Sequence, residues 1–172
     1  WKETKQFKES YSNIFPGYYF TGDGGYKDEE GYIYITGRID DVINVAGHRL
    51  STAAMEEVLA THSAVAECAV VGIADEMKGQ LPLGFVVLKS GVEILESKLN
   101  EELVEMVRTA IGAVASFKKA IIVARLPKTR SGKILRKIMR AIADGNTFNP
   151  PSTIEDISVL DEIREVLRLK KI

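Results

Sequence analysis

The chain has 172 residues, of which 45% are hydrophobic, and its formal net charge is −1 at pH 7. This is enough apolar material for one ordinary domain with part of another, and no apolar run has the length of a membrane span. The near-neutral charge gives the molecule as a whole no electrostatic attraction to nucleic acid. Composition therefore predicts a soluble cytoplasmic domain, or one in the mitochondrial matrix of a eukaryote, with no nucleic-acid or membrane partner.

Residues 1–20 are rich in aromatic side chains and contain the turn Pro16-Gly17. We interpret them as the end of a preceding domain. The chain begins at Trp1 without a signal peptide, so the sequence predicts a piece of a longer protein. The glycine-rich residues 21–25 and the polar residues 27–31 predict turns, and the β-type run 32–35 predicts a strand between them and Gly37. A β-hairpin is therefore expected before Arg38.

Past Leu50 the pattern alternates between helices and strands. Apolar spacing predicts helices from the N-cap Ser51 to near His62, from Ser97 to Gly112, over residues 134–143, and after the break at residues 149–152. The apolar runs 65–73, 83–89 and 120–124 predict core strands, and the first two are expected to be antiparallel neighbours. The prediction is an α+β fold, with a sheet of about three strands flanked by helices and preceded by the hairpin.

The densest group of charged residues lies between residues 37 and 50. Arg38 is followed by the carboxylates of Asp40 and Asp41, and Arg49 lies close to Gly47 on the other side of a short β-type run. Because glycine has no side chain, Gly47 allows a ligand to pass close to the backbone. These residues indicate a site that handles phosphate groups.

A second cationic segment, residues 127–133, enters the helix predicted over residues 134–143. Cations on a glycine-containing loop before a helix suit an anionic ligand. A Walker-type phosphate loop is excluded, because Pro127 stands where its first glycine would be. Lys133 lies where the loop meets the helix, and its compact charge is suited to neutralising a carboxylate and a phosphate together.

The later cations Arg136, Lys137 and Arg140 have two interpretations. We favour a solvated basic face, since a single-strand nucleic-acid site would need interleaved aromatic residues.

Asp23, in the tripeptide Thr21-Gly22-Asp23, also has two interpretations. Its carboxylate suits the vicinal hydroxyls of a ribose, and it equally suits an Asx-turn.

Several motifs, in this order, resemble the acyl-adenylate-forming enzymes, and within them the short-chain acetyl-CoA and propionyl-CoA synthetases. They are Tyr19-Phe20-Thr21-Gly22-Asp23, Gly37-Arg38-Ile39-Asp40-Asp41, Val45-Ala46-Gly47-His48-Arg49 and residues 127–133. The resemblance runs over nearly the whole chain and includes Glu56-Glu57, Lys78-Gly79-Gln80 and residues 152–156.

The resemblance implies that a short carboxylate reacts with ATP to give acyl-AMP, and that CoA then displaces AMP, with Mg²⁺ as a further cofactor. Asp23 and Arg38 would bind the nucleotide, and Asp40 would be the hinge of a mobile lid. Lys133 would act in the first step only. Gly47, Arg49 and Arg108 would bind CoA in the second, and His62 is a candidate for a structural cation.

The implied domain division is 1–39 for the end of the large adenylating domain, 40–150 for the mobile C-terminal domain, and 151–172 for a tail helix. The phosphate loop and carboxylate pocket of the family belong to the large domain, which this chain almost entirely lacks, so the chain alone is expected to be inactive. The missing domain is an expected partner, as is an acylase or deacylase acting on Lys133, because acylation would remove the lysine charge.

Other functions stay open. One alternative is an adenylation domain of another acyl- or aminoacyl-activating enzyme. The other is a non-catalytic regulatory module of the same fold, although such a module would have no reason to keep the site residues. Acetate and propionate are the expected substrates, and residues 81–83 and 153–156 favour propionate slightly.

Overall fold

A computed structural model describes residues 4–171 of the chain, except for the side chains of Gln6 and Ser10. The chain divides into two compact units, Trp1–Asp40 and Asp41–Ile172. Trp1, with which the aromatic stretch of the sequence begins, lies outside the described residues. The two units are considered separately below.

The first unit contains helix α1 (Thr4–Tyr11) and a β-hairpin of strands β1 (Asp23–Lys27) and β2 (Ile33–Arg38). The strands are antiparallel, and Asp23 lies opposite Arg38 in the register. The amide N–H of Ile39 donates to the carbonyl of Gly22 at 3.0 Å, which continues the pairing past the strand ends. The hairpin predicted before Arg38 is confirmed.

The second unit is built on a five-stranded sheet. Its strands are β3 (Val42–Val45), β4 (His48–Ser51), β5 (Val65–Asp75), β6 (Gly79–Leu88) and β7 (Lys119–Ile122). The order is β4-β3-β6-β5, and β7 pairs with β6 in parallel. The three predicted core strands are present, with β5 and β6 antiparallel as expected.

Strands β3 and β4 enlarge this sheet beyond the predicted number of strands. They form a hairpin of their own, and β3 joins β6 through the pair Val45 and Gly79. The amide N–H of Asn44 also donates to the Gln80 side-chain oxygen at 2.8 Å. The charged segment around Gly47 is therefore an edge of the sheet.

The helices of this unit are α2 (Thr52–Ala60), α3 (Glu96–Ile111), α4 (Arg136–Ala143) and α5 (Ser158–Leu169). The Ser51 hydroxyl accepts a hydrogen bond from the Ala54 amide, as predicted for an N-cap. The N-cap predicted at Ser97 is wrong, because α3 begins one residue earlier and its cap position is Leu95. Gly112 ends α3 as expected.

The two faces of the sheet are covered by different helices. Met55, Leu59, Leu99 and Leu103 of α2 and α3 pack on one face, and Met139, Ile163 and Leu167 of α4 and α5 pack on the other. Because successive strand residues point to opposite faces, Val70 of β5 joins the first core and its neighbours Ala69 and Val71 join the second. Helix α3, which carries Arg108, and helix α4, which Lys133 precedes, therefore lie on opposite faces of the sheet.

Within residues 4–171, no helix combines the length and the apolarity that crossing a bilayer requires.

Candidate functional site

In the first unit, the two predicted nucleotide-binding residues contact each other. Arg38 Nη1 donates to the carbonyl of Thr21 at 2.8 Å and to Asp23 Oδ1 at 3.3 Å. The Thr21 hydroxyl accepts from the Asp23 amide at 3.2 Å. The hydroxyl thus closes the turn, and the exposed Asp23 carboxylate pairs with Arg38 instead of forming an Asx-turn.

Gly22 is what allows this close packing. Its φ is +76°, and a Cβ at this position would lie 2.9 Å from Arg38 Nη2. A side chain would therefore push the guanidinium away from Asp23 as well as strain the backbone. The Thr-Gly-Asp turn and Arg38 form one preorganised group.

Asp40, the predicted hinge, is the last residue of the first unit. Its Oδ1 accepts from Arg38 Nε at 3.1 Å. This hydrogen bond is the main reason that the pKa of Arg38 is raised above its ordinary value. The same guanidinium thus contacts the nucleotide candidate Asp23 and the hinge candidate Asp40.

In the second unit, Gly47 lies in the two-residue turn between β3 and β4. Ala46 and Gly47 have φ of 48° and 88°, as a type I′ hairpin turn requires at both positions. A Cβ on Gly47 would meet no atom within 4 Å, so the space beside this backbone is open. Arg49 lies opposite Asn44 on the exposed face of the hairpin, whereas Ile43 and Val45 point into the core.

Arg108 lies in a cleft of about 290 Å³ near the end of α3, together with Lys78, Ser116 and Lys118. The Lys78 ammonium donates to the Ser116 hydroxyl at 2.8 Å. The carbonyl of Lys78 accepts from the Ala46 amide at 2.8 Å. The predicted CoA residues at the Gly47 turn and on α3 are therefore connected through Lys78. Sequence reasoning gave no role to Lys78 or Lys118, because their approach to Arg108 depends on long-range packing.

Residues 127–135 form a tight hairpin, here called the Lys133 loop. Lys133 lies in it just after the turn. Lys128 and Ile134 form an antiparallel bridge. The Thr129 amide donates to the Lys133 carbonyl at 2.9 Å, and the Leu135 amide donates to the Pro127 carbonyl at 2.9 Å. Lys133 is exposed, and its ammonium has no hydrogen-bond or ion-pair partner in the described part of the chain.

The other cations of this segment have different environments. Lys128 pairs with Glu67 at 2.6 Å, whereas Arg130 is exposed. Lys137 is exposed on α4, as a solvated face predicts, and Arg140 lies 3.5 Å from Asp144.

Arg136 does not belong to a solvated face, so that interpretation was wrong for this residue. Its Nε and Nη2 donate to the two carboxylate oxygens of Glu56 at 2.8 and 2.6 Å, and both side chains are largely buried. These hydrogen bonds are the main cause of a raised Arg136 pKa. Glu56 also accepts from the Val70 amide at 2.8 Å. The pair therefore fixes the start of α4 to α2 and β5.

His62 is engaged through both ring nitrogens. Nδ1 accepts from the Ala64 amide at 3.1 Å, and Nε2 lies 2.9 Å from a carboxylate oxygen of Glu102. Residues 4–171 contain no group of three or more His, Cys, Asp or Glu side chains that could hold a metal ion. These contacts make His62 a bridge between the end of α2 and α3, and the cation at this residue stays a prediction.

Comparisons with known proteins agree with this architecture. Residues 54–133 match the family model of the AMP-binding enzyme C-terminal domain. The structure of ATP-bound MatB from Rhodopseudomonas palustris superposes with a TM-score of 0.70 at 25% identity, over 84% of this chain and 27% of that one. Residues 54–133 therefore match the AMP-binding C-terminal domain family, and the resemblance to adenylate-forming enzymes is confirmed, as is the α+β class.

Two relatives specify the resemblance further. Acyl-CoA synthetase short-chain family member 3, mitochondrial, of Mus musculus is 51% identical over 168 residues, covering 98% of this chain and 25% of that protein. Acetyl-coenzyme A synthetase of Penicillium chrysogenum is 48% identical over 169 residues, covering 97% of this chain and 25% of that protein. The chain thus spans about a quarter of the length of these relatives.

Proposed function

We propose that this chain is the C-terminal part of an AMP-forming short-chain acyl-CoA synthetase. The observation that carries the proposal is the exposed Lys133 ammonium on a hydrogen-bonded hairpin, in a chain about half identical to synthetases of this kind. The overall reaction converts a carboxylate, ATP and CoA into acyl-CoA, AMP and pyrophosphate.

In the first step, a carboxylate oxygen attacks the α-phosphorus of ATP, and the bond from that phosphorus to the pyrophosphate oxygen breaks. Two anions must approach each other for this reaction. An ammonium beside the carboxylate and the α-phosphate offsets their repulsion and stabilises charge in the transition state. We assign this role to Lys133. We assign the ribose hydroxyls to Asp23 and the neighbouring ribose-phosphate region to Arg38.

In the second step, the CoA thiolate attacks the acyl carbon, and the bond to the AMP phosphate oxygen breaks. We assign CoA binding to Gly47, Arg49 and Arg108, with Lys78 and Lys118 as further cations of the Arg108 cleft. The open space at Gly47 supports close passage of an extended ligand. The cations of the cleft suit phosphate groups.

Because α3, which carries Arg108, and α4, which Lys133 precedes, lie on opposite faces of one sheet, a single orientation of this unit does not serve both steps. We therefore propose that it rotates about Asp40 between the steps. The division of the chain into compact units after Asp40 supports this hinge.

ATP and CoA are the nucleotide substrates in this proposal. Among residues 4–171 no cluster of acidic, histidine or cysteine side chains suits a metal ion. Mg²⁺ is proposed as a cofactor bound with the ATP phosphates, and we derive no step through it. The large adenylating domain is the expected partner, so the isolated chain should be inactive.

Acetate and propionate are the proposed substrates. The residues that favoured propionate now have structural explanations, because Pro82 and Leu83 are buried in β6 and residues 153–155 contact the Lys133 loop. They give no ground for choosing the acyl group. The mouse relative is named mitochondrial, and for this protein the cytoplasm and the mitochondrial matrix are both retained as proposed compartments.

The exposed position of Lys133 also supports reversible acylation as a form of regulation. An acyl group on Nζ would remove the charge on which the first step depends. A lysine acylase and a deacylase are therefore proposed partners.

The deciding experiment is carboxylate-dependent ATP–pyrophosphate exchange by the full-length protein that contains this chain. Acetate, propionate, butyrate and a mixture of amino acids should be compared, with no carboxylate as the blank. Exchange with a short acid is expected, and its relative rates identify the substrate. Exchange with amino acids alone would favour another adenylation domain, and no exchange with any acid would favour a non-catalytic module.

A further inference from the structure

The C-terminal tail contacts the Lys133 loop through backbone hydrogen bonds. The Arg130 amide donates to the Thr153 carbonyl at 2.9 Å, and the Glu155 amide donates to the Lys128 carbonyl at 2.9 Å. Thr129 and Ile154 form an antiparallel bridge. Residues 153–155, here called the brace, therefore lie beside the loop as an additional short strand.

The brace extends the pairing of the loop. Residues 128–130 are bonded on one side to residues 133–134 and on the other side to the brace. Lys133 itself is on the outer side, where its side chain is exposed. Residues 128–130, which bond to the backbone at Lys133, are thus hydrogen-bonded on their other side to the tail.

The brace is itself attached to the rest of the unit through Arg125, which lies just before the loop. Arg125 Nη1 donates to Asp156 at 2.6 Å, and its Nη2 donates to Ser158 at 2.8 Å and to Glu162 at 2.6 Å. Beyond this point, α5 is anchored in the core by Leu160, Ile163 and Leu167. A continuous set of contacts therefore connects the core, the tail and the loop.

We propose that the brace is a positioning element for Lys133, which holds the loop so that the lysine ammonium reaches the reacting oxygens. The inference rests on the proposed role of Lys133 in adenylation. The turn of the loop is exposed and contains Gly132 at φ +82°, so the backbone bonds from the brace add to the side-chain bonds of Lys128 and Thr129 that restrain it. A displacement of about 1 Å in a catalytic group can lower a rate about 100-fold.

The test compares Glu155→Pro with Glu155→Ala in the full-length protein. Proline removes the amide that donates to Lys128, and alanine keeps it. Proline also keeps the preceding residue extended, which suits Ile154 in its bridge. The Glu155 side chain is exposed, so its loss alone should have little effect. We expect Glu155→Pro to lower ATP–pyrophosphate exchange about 10- to 100-fold, while thioester formation from supplied acyl-AMP is unchanged.

A second variant is needed in case the proline prevents folding. Arg125→Met removes the attachment of the tail. Arg168→Met is its control, because Arg168 contacts Glu165 through Nε and Nη2 on the exposed side of α5, as Arg125 contacts Glu162. Arg125→Met should lower ATP–pyrophosphate exchange more than thioester formation from supplied acyl-AMP. It should also accelerate hydrogen exchange of the Arg130 amide. Arg168→Met should change neither.

The outcomes are separable. Equal loss of both half-reactions would indicate a general structural defect and would overturn the positioning role. ATP–pyrophosphate exchange at the rate of the control variants would also overturn the positioning role. So would unchanged hydrogen-exchange protection of the Arg130 amide in Arg125→Met. If the unsubstituted protein shows no exchange with any carboxylate, the proposed function fails, and the inference fails with it.

Discussion

The Lys133 loop and the Gly47 turn are both short hairpins of the second unit, but they are constructed differently. The Lys133 loop is bonded within itself and to the brace, and it presents a charged side chain to solvent. The Gly47 turn is joined to its surroundings by the bond from the Ala46 amide to Lys78, and it presents bare backbone beside open space.

The difference corresponds to the two proposed tasks. A lysine that neutralises two reacting anions must be placed accurately, so its backbone has to be restrained. The Gly47 turn, by contrast, has to leave space for a long ligand to pass. Glycine leaves that space because it has no side chain. Substitutions in each loop should therefore impair different half-reactions.

The largest effect is expected for Lys133→Ala. Loss of the ammonium should lower carboxylate-dependent ATP–pyrophosphate exchange by about 100- to 1,000-fold or more. Thioester formation from supplied acyl-AMP should be retained, because Lys133 has no assigned role in that step. Lys137→Ala, at an exposed lysine four positions further along, is the matched control. Equal loss of both half-reactions in Lys133→Ala would contradict the division of tasks.

The reciprocal change is Gly47→Val. A branched side chain would occupy the open space and would also strain a backbone with φ of 88°. Thioester formation should fall about 100-fold, and exchange should be largely preserved. Gly91→Val controls for backbone strain, since Gly91 has a φ of +76° and also has no atom near a Cβ. A similar loss in both valine variants would show that strain, and not obstruction of CoA, is the cause.

A smaller effect is expected where α4 meets the end of the Lys133 loop. Glu56→Gln keeps an oxygen for the Val70 amide but removes the carboxylate charge that pairs with the Arg136 guanidinium. We expect the free energy of unfolding to decrease by about 1–3 kcal/mol in urea denaturation. Glu165→Gln, at an exposed pair with Arg168, should leave the free energy of unfolding nearly unchanged. Equal changes would mean that the buried pair contributes no more than an exposed one.

The smallest effect concerns the acid sensitivity of the tail. Hydrogen bonds from Ser158, followed by the bond from Arg125, lower the pKa of Asp156 to about 2 from an ordinary value of 3.8. Because the folded-state pKa is depressed, the stabilisation is present above the ordinary value and is lost as the pH falls through the folded-state value. The difference in unfolding midpoint between the unsubstituted chain and Asp156→Asn should therefore be constant near neutrality and shrink as the pH falls from about 4 toward 2. A difference that does not depend on pH would exclude this origin.

Much of the fold was accessible from sequence because it depends on local periodicity. The apolar runs of β5, β6 and β7 and the helix signals at Ser51 and Gly112 lie within the elements that they define. The attachment of β3 to β6 was not accessible, since it depends on Val45 meeting Gly79 from a distant part of the chain. The N-cap was wrongly assigned to Ser97 because, in the sequence, a serine in the first turn of a helix gives the same signal as a serine at the N-cap.

The candidate site residues were assigned from motifs, but the contacts that support them could not be predicted from the sequence. Arg136 was taken for a solvated residue because its partner Glu56 lies 80 positions earlier. One signal was present, since Glu56 directly follows the buried Met55 on a helix that packs against the sheet. The brace left no comparable signal, because its bonds to the loop are made by backbone groups that every residue except proline carries.

The order of synthesis gives the brace a further consequence. Residues 153–155 leave the ribosome after Lys133, so the nascent Lys133 loop cannot acquire its last strand until that later segment has emerged. At about 5–20 residues per second this delay lasts on the order of a second or more. During that interval β5, β6 and β7 are already available to fold. A chain terminated between Lys133 and the brace would therefore contain the lysine but lack the strand that restrains its loop.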